Sequence, residues 1–218
     1  MNETLNQCDL LITGGQVIDG TGCPAITADV ALQGDRIIAV GDLTVGKAEA
    51  VIDARGKVIT PGFIDVHTHD DRLLLVNPEV TPKLSQGVTT VVVGNCGVSL
   101  SPWLSDRAPP PPLDLVFPDG KNGAHFSTFH SYSTELARRP AAINALALIG
   151  HSTLRCGVMD RLDRPATQAE IEQMRALLRE SLAAGAGGFS TGLFYPPNKA
   201  APASEVEALA RELTAVQG

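Results

Sequence analysis

A change of pattern at Pro61-Gly62 constrains this chain more than any other feature. Before it, short β-prone runs alternate with turns. These runs are Leu10 to Ile12, Gln16 to Ile18, Ala28 to Gln33, Arg36 to Val40, Ala50 to Ile52 and Lys57 to Ile59. Gly14-Gly15, Asp19-Gly20, Gly34-Asp35 and Arg55-Gly56 punctuate them. Gly34-Asp35 has the length of a two-residue hairpin turn. Residues 1–60 therefore read as a small antiparallel β domain, sandwich-like.

After Pro61-Gly62 the runs become almost continuously apolar: Phe63 to Val66, Val88 to Val93, Ile143 to Ile149 and, more weakly, Gly187 to Thr191. Such runs suit parallel strands buried on both faces. Two helices follow the third and fourth runs. Thr167 with Glu170 predicts a capping box before an apolar stripe of Ile171, Met174, Leu177, Leu178 and Leu182, and Gly185 ends it. Ser204 with Glu207 predicts a second box, with Val206, Leu209, Ala210 and Leu213 as the stripe. Strand–helix alternation implies βαβ units. A proline-rich insertion around 100–139, including Pro109 to Pro112, reads as a surface excursion. From Pro61 onward there are 158 residues and about four strand–helix units, against roughly 250 residues for a full (β/α)₈ barrel. The expectation for 61–218 is thus an incomplete barrel with two open edges, or a smaller α/β sheet.

A net charge of −7 over 218 residues argues against a nucleic-acid partner and against docking on an anionic membrane. No segment approaches the ~20 apolar residues of a membrane span. Met1 to Asp9 is polar and has no signal-peptide pattern, so a cytoplasmic location is expected. Cys8, Cys23, Cys96 and Cys156 are widely spaced, which suits free thiols or metal ligands rather than a disulfide framework.

His67-Thr68-His69 follows the first buried strand directly. In an extended segment residues i and i+2 point to one side, so both imidazoles converge at the strand's C-terminal end, where α/β folds place their sites. Neutral imidazole is a good ligand for Zn²⁺. Cys96, in Gly94-Asn95-Cys96-Gly97, lies just past the second run, close enough in a parallel sheet to reach the same ion, and its flanking glycines permit a sharp turn. His67, His69 and Cys96 are therefore the candidate metal ligands. Asp65 reads as an orienting partner of a histidine or as held at the strand base. Asp70 and Asp71 could be ligands, but a paired acid after a strand is more often a solvated loop. His151 follows the third strand and is evenly balanced between lining the site and not. His125 and His130 read as surface residues. Tyr195 is placed either to contact a substrate or to pack before Pro196-Pro197. No phosphate-binding glycine pattern and no Gly-x-Ser-x-Gly elbow is present.

Pro61-Gly62-Phe63-Ile64-Asp65-Val66-His67-Thr68-His69, preceded by a small β domain, resembles the opening of the amidohydrolase superfamily. Gly94-Asn95-Cys96-Gly97-Val98-Ser99, Gly150-His151-Ser152-Thr153-Leu154-Arg155 and Gly192-Leu193-Phe194-Tyr195-Pro196-Pro197 resemble its N-acyl-D-amino-acid deacylase (D-aminoacylase) branch. The resemblance runs along essentially the whole chain. It implies a TIM-like barrel, a β-sandwich built from both chain ends, and zinc-dependent hydrolysis of the amide bond of N-acyl-D-amino acids. His67, His69 and Cys96 match the family's metal-ligand positions, and Tyr195 matches a substrate-holding position. The family's two further histidine ligands, its catalytic aspartate and a basic residue that grips the substrate carboxylate lie on later strands. No catalytic residue is therefore assigned in this chain, and the 218 residues alone are expected to be inactive. The expected macromolecular partner is a missing C-terminal half, or a second copy through the open barrel edges. Two alternatives stand beside this. One is a dihydroorotase- or hydantoinase-like enzyme, although Ser190-Thr191-Gly192 offers no bridging lysine and Lys199 lies too far along. The other is a non-catalytic metal-binding module.

Overall fold

The computed structural model describes residues 3–118 and 125–215. The chain divides after Gly62 into two compact units.

The first unit is a five-stranded sheet. Its strands are β1 (Glu3–Val17), β2 (Ile26–Gln33), β3 (Arg36–Gly41), β4 (Leu43–Asp53) and β5 (Val58–Ile59), ordered β3-β2-β1-β4 with β5 also on β1. The β1-β2-β3 part is antiparallel, and Gln33 pairs Arg36 across the expected Gly34-Asp35 turn. β4 and β5 run parallel to β1, so the sheet is mixed rather than antiparallel throughout. The reason lies at Gly14-Gly15. These glycines make a bulge, with a register shift between Ile12 and Gly15 and Gly14 at φ +67°, and not the turn the sequence suggested. One long strand thus replaces two short ones, and its free edge takes up β4 and then β5. The core here is small, centred on Cys8, Ala31 and Ala39.

The second unit is α/β. Strands β6 (Phe63–Asp65), β7 (Val88–Val93), β8 (Asn144–Gly150) and β9 (Gly188–Ser190) pair in chain order, all parallel, as a curled half-barrel sheet. Parallel neighbours need crossovers. Helices α1 (Leu73–Val76) and α2 (Thr81–Leu84) lie between β6 and β7. Helix α3 (Phe129–Arg138) precedes β8, α4 (His151–Val158) and α5 (Gln168–Ala183) precede β9, and α6 (Ala203–Ala210) follows it. The four apolar runs are these four strands. The first differs from expectation in burial: Phe63, Ile64 and Val66 are exposed, because β6 is an edge strand of the sheet.

Three further local readings change. The 100–139 segment is no surface excursion, although residues 119–124 of it lie outside those described. Leu100, Trp103, Leu113, Val116 and Phe117 are buried in the main core with Phe129 and Tyr132 of α3. Its apolar residues are few, but most of them point inward, Leu104 and Leu115 being exposed. Helix α3 was not foreseen; Thr128 caps it by accepting from the Ser131 N–H. Helix α6 starts at Ala203 after Pro202, so Ser204 and Glu207 form no capping box. The box on α5 is present in full, and Gly185 follows that helix at φ +98°.

Candidate metal centre

His67 and His69 leave the end of β6 on a segment tied to β7. The Thr68 N–H and hydroxyl both donate to the Val92 carbonyl, at 3.1 and 3.0 Å. With Thr68 buried between them, the two imidazoles turn the other way, ring centroids 6.0 Å apart and edge-on. Cys96 arrives from the end of β7 on a knuckle of unusual backbone. It has φ +58° and ψ +18°, a left-handed conformation that costs a non-glycine residue about 1 kcal/mol or more. Glycines make the knuckle possible. A Cβ on Gly94 would meet the Leu148 carbonyl oxygen at 2.1 Å, and one on Gly150 would meet Gly97 at 2.4 Å. The backbones of 94–97 and β8 are therefore in direct contact beneath Cys96.

His67 Nε2 lies 3.0 Å from Cys96 Sγ. One ligand atom from each of His67, His69 and Cys96 falls within 4.8 Å of the others. Burial, and then the neighbouring His67, hold the His69 imidazole below its ordinary pKa, so it is neutral at pH 7 with a lone pair to offer. Its Nδ1 is buried and has no hydrogen-bond partner, which fits a ligand atom. Two imidazoles and a thiol are a donor set suited to zinc. The neighbouring Cys96 raises the Tyr195 phenol's pKa. Its ring packs over Gly192, where a Cβ would approach within 2.7 Å.

The other candidates fall elsewhere. Asp65 Oδ2 is paired with Lys83 Nζ at 2.6 Å, and Oδ1 accepts from the His67 backbone N–H at 3.3 Å. It is thus held at the strand end, with hydrogen bonding to Lys83 the main cause of its lowered pKa. Lys83 also reaches Asp70, at 3.2 Å. Asp71 is not solvated; it is buried, and burial pushes its carboxyl up to about 7. His130 is exposed, as expected, whereas His125 is half-buried and stacks on Phe117.

His151 lies outside the cluster. It is fully buried, with Nδ1 at 2.9 Å from the Thr191 hydroxyl and Nε2 at 3.0 Å from Glu205 Oε1. Arg155, also fully buried, ion-pairs with Glu205 and donates to the carbonyls of Pro197 (2.7 Å) and Arg164 (2.8 Å). Burial by itself would raise the Glu205 carboxyl. Hydrogen bonds from His151, Arg155 and the Ala166 N–H overcome that and hold it at about 2. This network fixes the loop that carries Tyr195. Sequence reasoning missed it, although an arginine set between Leu154 and Cys156 just after an apolar strand was a usable signal.

Residues 50–217 match the model of the amidohydrolase family. The chain belongs to that family. Among its relatives is the N-acyl-D-aspartate deacylase of Alcaligenes xylosoxydans xylosoxydans, 52% identical over 206 residues, which cover 94% of this chain and 41% of the relative. A solved D-aminoacylase, described as having a binuclear metal centre, superposes with a TM-score of 0.92 at 50% identity over 97% of this chain and 44% of that one. The N-acyl-D-glutamate deacylase from Bordetella bronchiseptica, solved with zinc and a phosphonate inhibitor, gives 0.85 at 42% identity over 96% and 44%. This amidohydrolase chain thus spans under half the length of the relatives it matches.

Proposed function

We propose that this chain is the N-terminal portion of a zinc-dependent deacylase that hydrolyses the amide bond of N-acyl-D-amino acids. In this reading the half-barrel sheet is the first half of a TIM-like barrel, and residues up to about 60 form a sandwich-like β domain. The observation that carries the reading is the convergence of His67, His69 and Cys96, with ligand atoms within 4.8 Å, in a chain about half identical to such deacylases.

His67 and His69 offer imidazole nitrogens, and Cys96 offers a sulfur held in place by its glycine-packed knuckle. When bound, zinc supplies a water of lowered pKa and polarises the scissile carbonyl. Tyr195, against the Cys96 sulfur, faces the N-acyl-D-amino acid and helps hold it. Among the described residues the cluster contains no carboxylate to serve as general base. The 218-residue chain is therefore expected to bind metal but not to turn over. Cobalt(II) titration tests the first half, because thiolate-to-metal absorption should appear and vanish in Cys96→Ser. Assay with N-acetyl-D-methionine and zinc tests the second. Turnover near that of a full-length relative would refute it.

A further inference from the structure

Asp71 is a buried acid that the proposed function leaves unused. It is 1% exposed and lies two residues past His69. Its Oδ2 accepts from the Gly94 N–H at 3.2 Å and its Oδ1 from the Leu100 N–H at 3.3 Å. Gly94 and Leu100 are the two ends of the loop that presents Cys96. The Asp71 carbonyl oxygen in turn accepts from the Tyr132 hydroxyl, at 2.9 Å, which anchors it to α3. One residue on the histidine segment thus grips both ends of the cysteine loop and is itself fastened to the core.

A carboxyl group suits this place. Each of two buried N–H groups needs an acceptor, and both carboxyl oxygens keep acceptor capacity whether or not the group is protonated. An amide supplies one acceptor and turns a donor toward the other N–H. A metal tolerates ligand displacements of only about 0.2 Å, so whatever fixes the distance between these two segments also fixes how well three ligands from them meet one ion.

We propose that Asp71 is a positioning residue for the metal centre: its carboxyl group clamps the Gly94–Leu100 loop to the His67–His69 segment and so sets the reach of Cys96. The inference rests on reading His67, His69 and Cys96 as ligands. Partners of this kind, which orient ligands without touching the ion, change metal affinity by about 10- to 100-fold.

The test is cobalt(II) titration of the full 218-residue chain, following thiolate-to-cobalt and d–d absorption, with the apo melting temperature measured in parallel. The variants are Asp71→Asn, Tyr132→Phe, Cys96→Ser and Thr167→Ala, the last a helix-cap change with no part in the clamp. Asp71→Asn should bind at least tenfold more weakly with altered d–d bands, and Tyr132→Phe should fall between it and the wild type. Thr167→Ala should lower the melting temperature and leave cobalt affinity unchanged. Wild-type affinity and spectrum in both clamp variants overturn the inference. So does a loss of affinity that tracks melting temperature across all variants, Thr167→Ala included. If Asp71→Asn does not fold, Tyr132→Phe decides alone. Wild type without Cys96-dependent absorption overturns the ligand reading itself, an outcome distinct from the other two.

Discussion

Gly150→Ala probes the support under the candidate metal centre. Gly150 has φ −83° and ψ +129°, which any residue adopts, so alanine pays nothing in backbone conformation. The cost is steric. A Cβ there would lie 2.4 Å from the Gly97 carbonyl oxygen, 2.5 Å from its carbon and 2.7 Å from the Val98 nitrogen. All three are main-chain atoms and cannot swing aside. Since Cβ contacts under 3.0 Å essentially do not occur, the Cys96 loop or the end of β8 must retreat until 2.4 Å becomes at least 3.0 Å. Overpacking of this kind costs about 1–3 kcal/mol. A shift of that size also exceeds the ~0.2 Å tolerance of a metal site, so cobalt affinity should fall tenfold or more. Gly41→Ala is the control, because nothing lies within 4 Å of its added Cβ. Urea unfolding and cobalt titration of both variants make the comparison. If Gly150→Ala matches Gly41→Ala in stability and in affinity, the knuckle is not wedged between β8 and the ligands, and the account of Cys96 fails.

Other outcomes follow from the same geometry. Glu205→Gln leaves Arg155 buried without its counter-ion and should cost about 3–5 kcal/mol at pH 7. Glu205 is held at about 2, below its ordinary 4.5, so its contribution is complete above pH ~4.5 and is lost as pH falls toward 2. Wild type should therefore lose stability between pH 4.5 and 3 that Glu205→Gln does not, and parallel curves would contradict this. With iodoacetamide on the native chain, exposed Cys23 should label first and half-buried Cys96 more slowly, with added zinc protecting Cys96. Cys8 and Cys156 are buried, the latter with its thiol pushed up to about 12, and should stay unlabelled; mass spectrometry showing Cys156 modified as fast as Cys23 would be inconsistent with the core. Thr167→Ala removes the α5 capping box and should cost about 1 kcal/mol in a thermal melt followed by circular dichroism, no change counting against it.

Apolar runs located the four parallel strands, and a capping box with its apolar stripe located α5, because both signals are written in local residue types. The same logic singled out His67, His69 and Cys96, since two strand ends in a parallel sheet bring such residues near each other. It failed where the deciding partner was distant in sequence. Gly14-Gly15 looked like a turn and is a bulge, because only pairing with β2 tells a bulge from a turn. Asp70-Asp71 looked solvated, yet Asp71 is enclosed by Gly94, Leu100 and Tyr132, each more than twenty positions away. His151 was evenly balanced between lining the site and not, because only the fold shows that Glu205 and Thr191 take both its nitrogens. Local residue types were thus enough to name the candidate metal ligands and the elements that carry them. Tertiary structure decided how those residues are held, because a buried polar group takes its role from whichever donors and acceptors the fold brings to it.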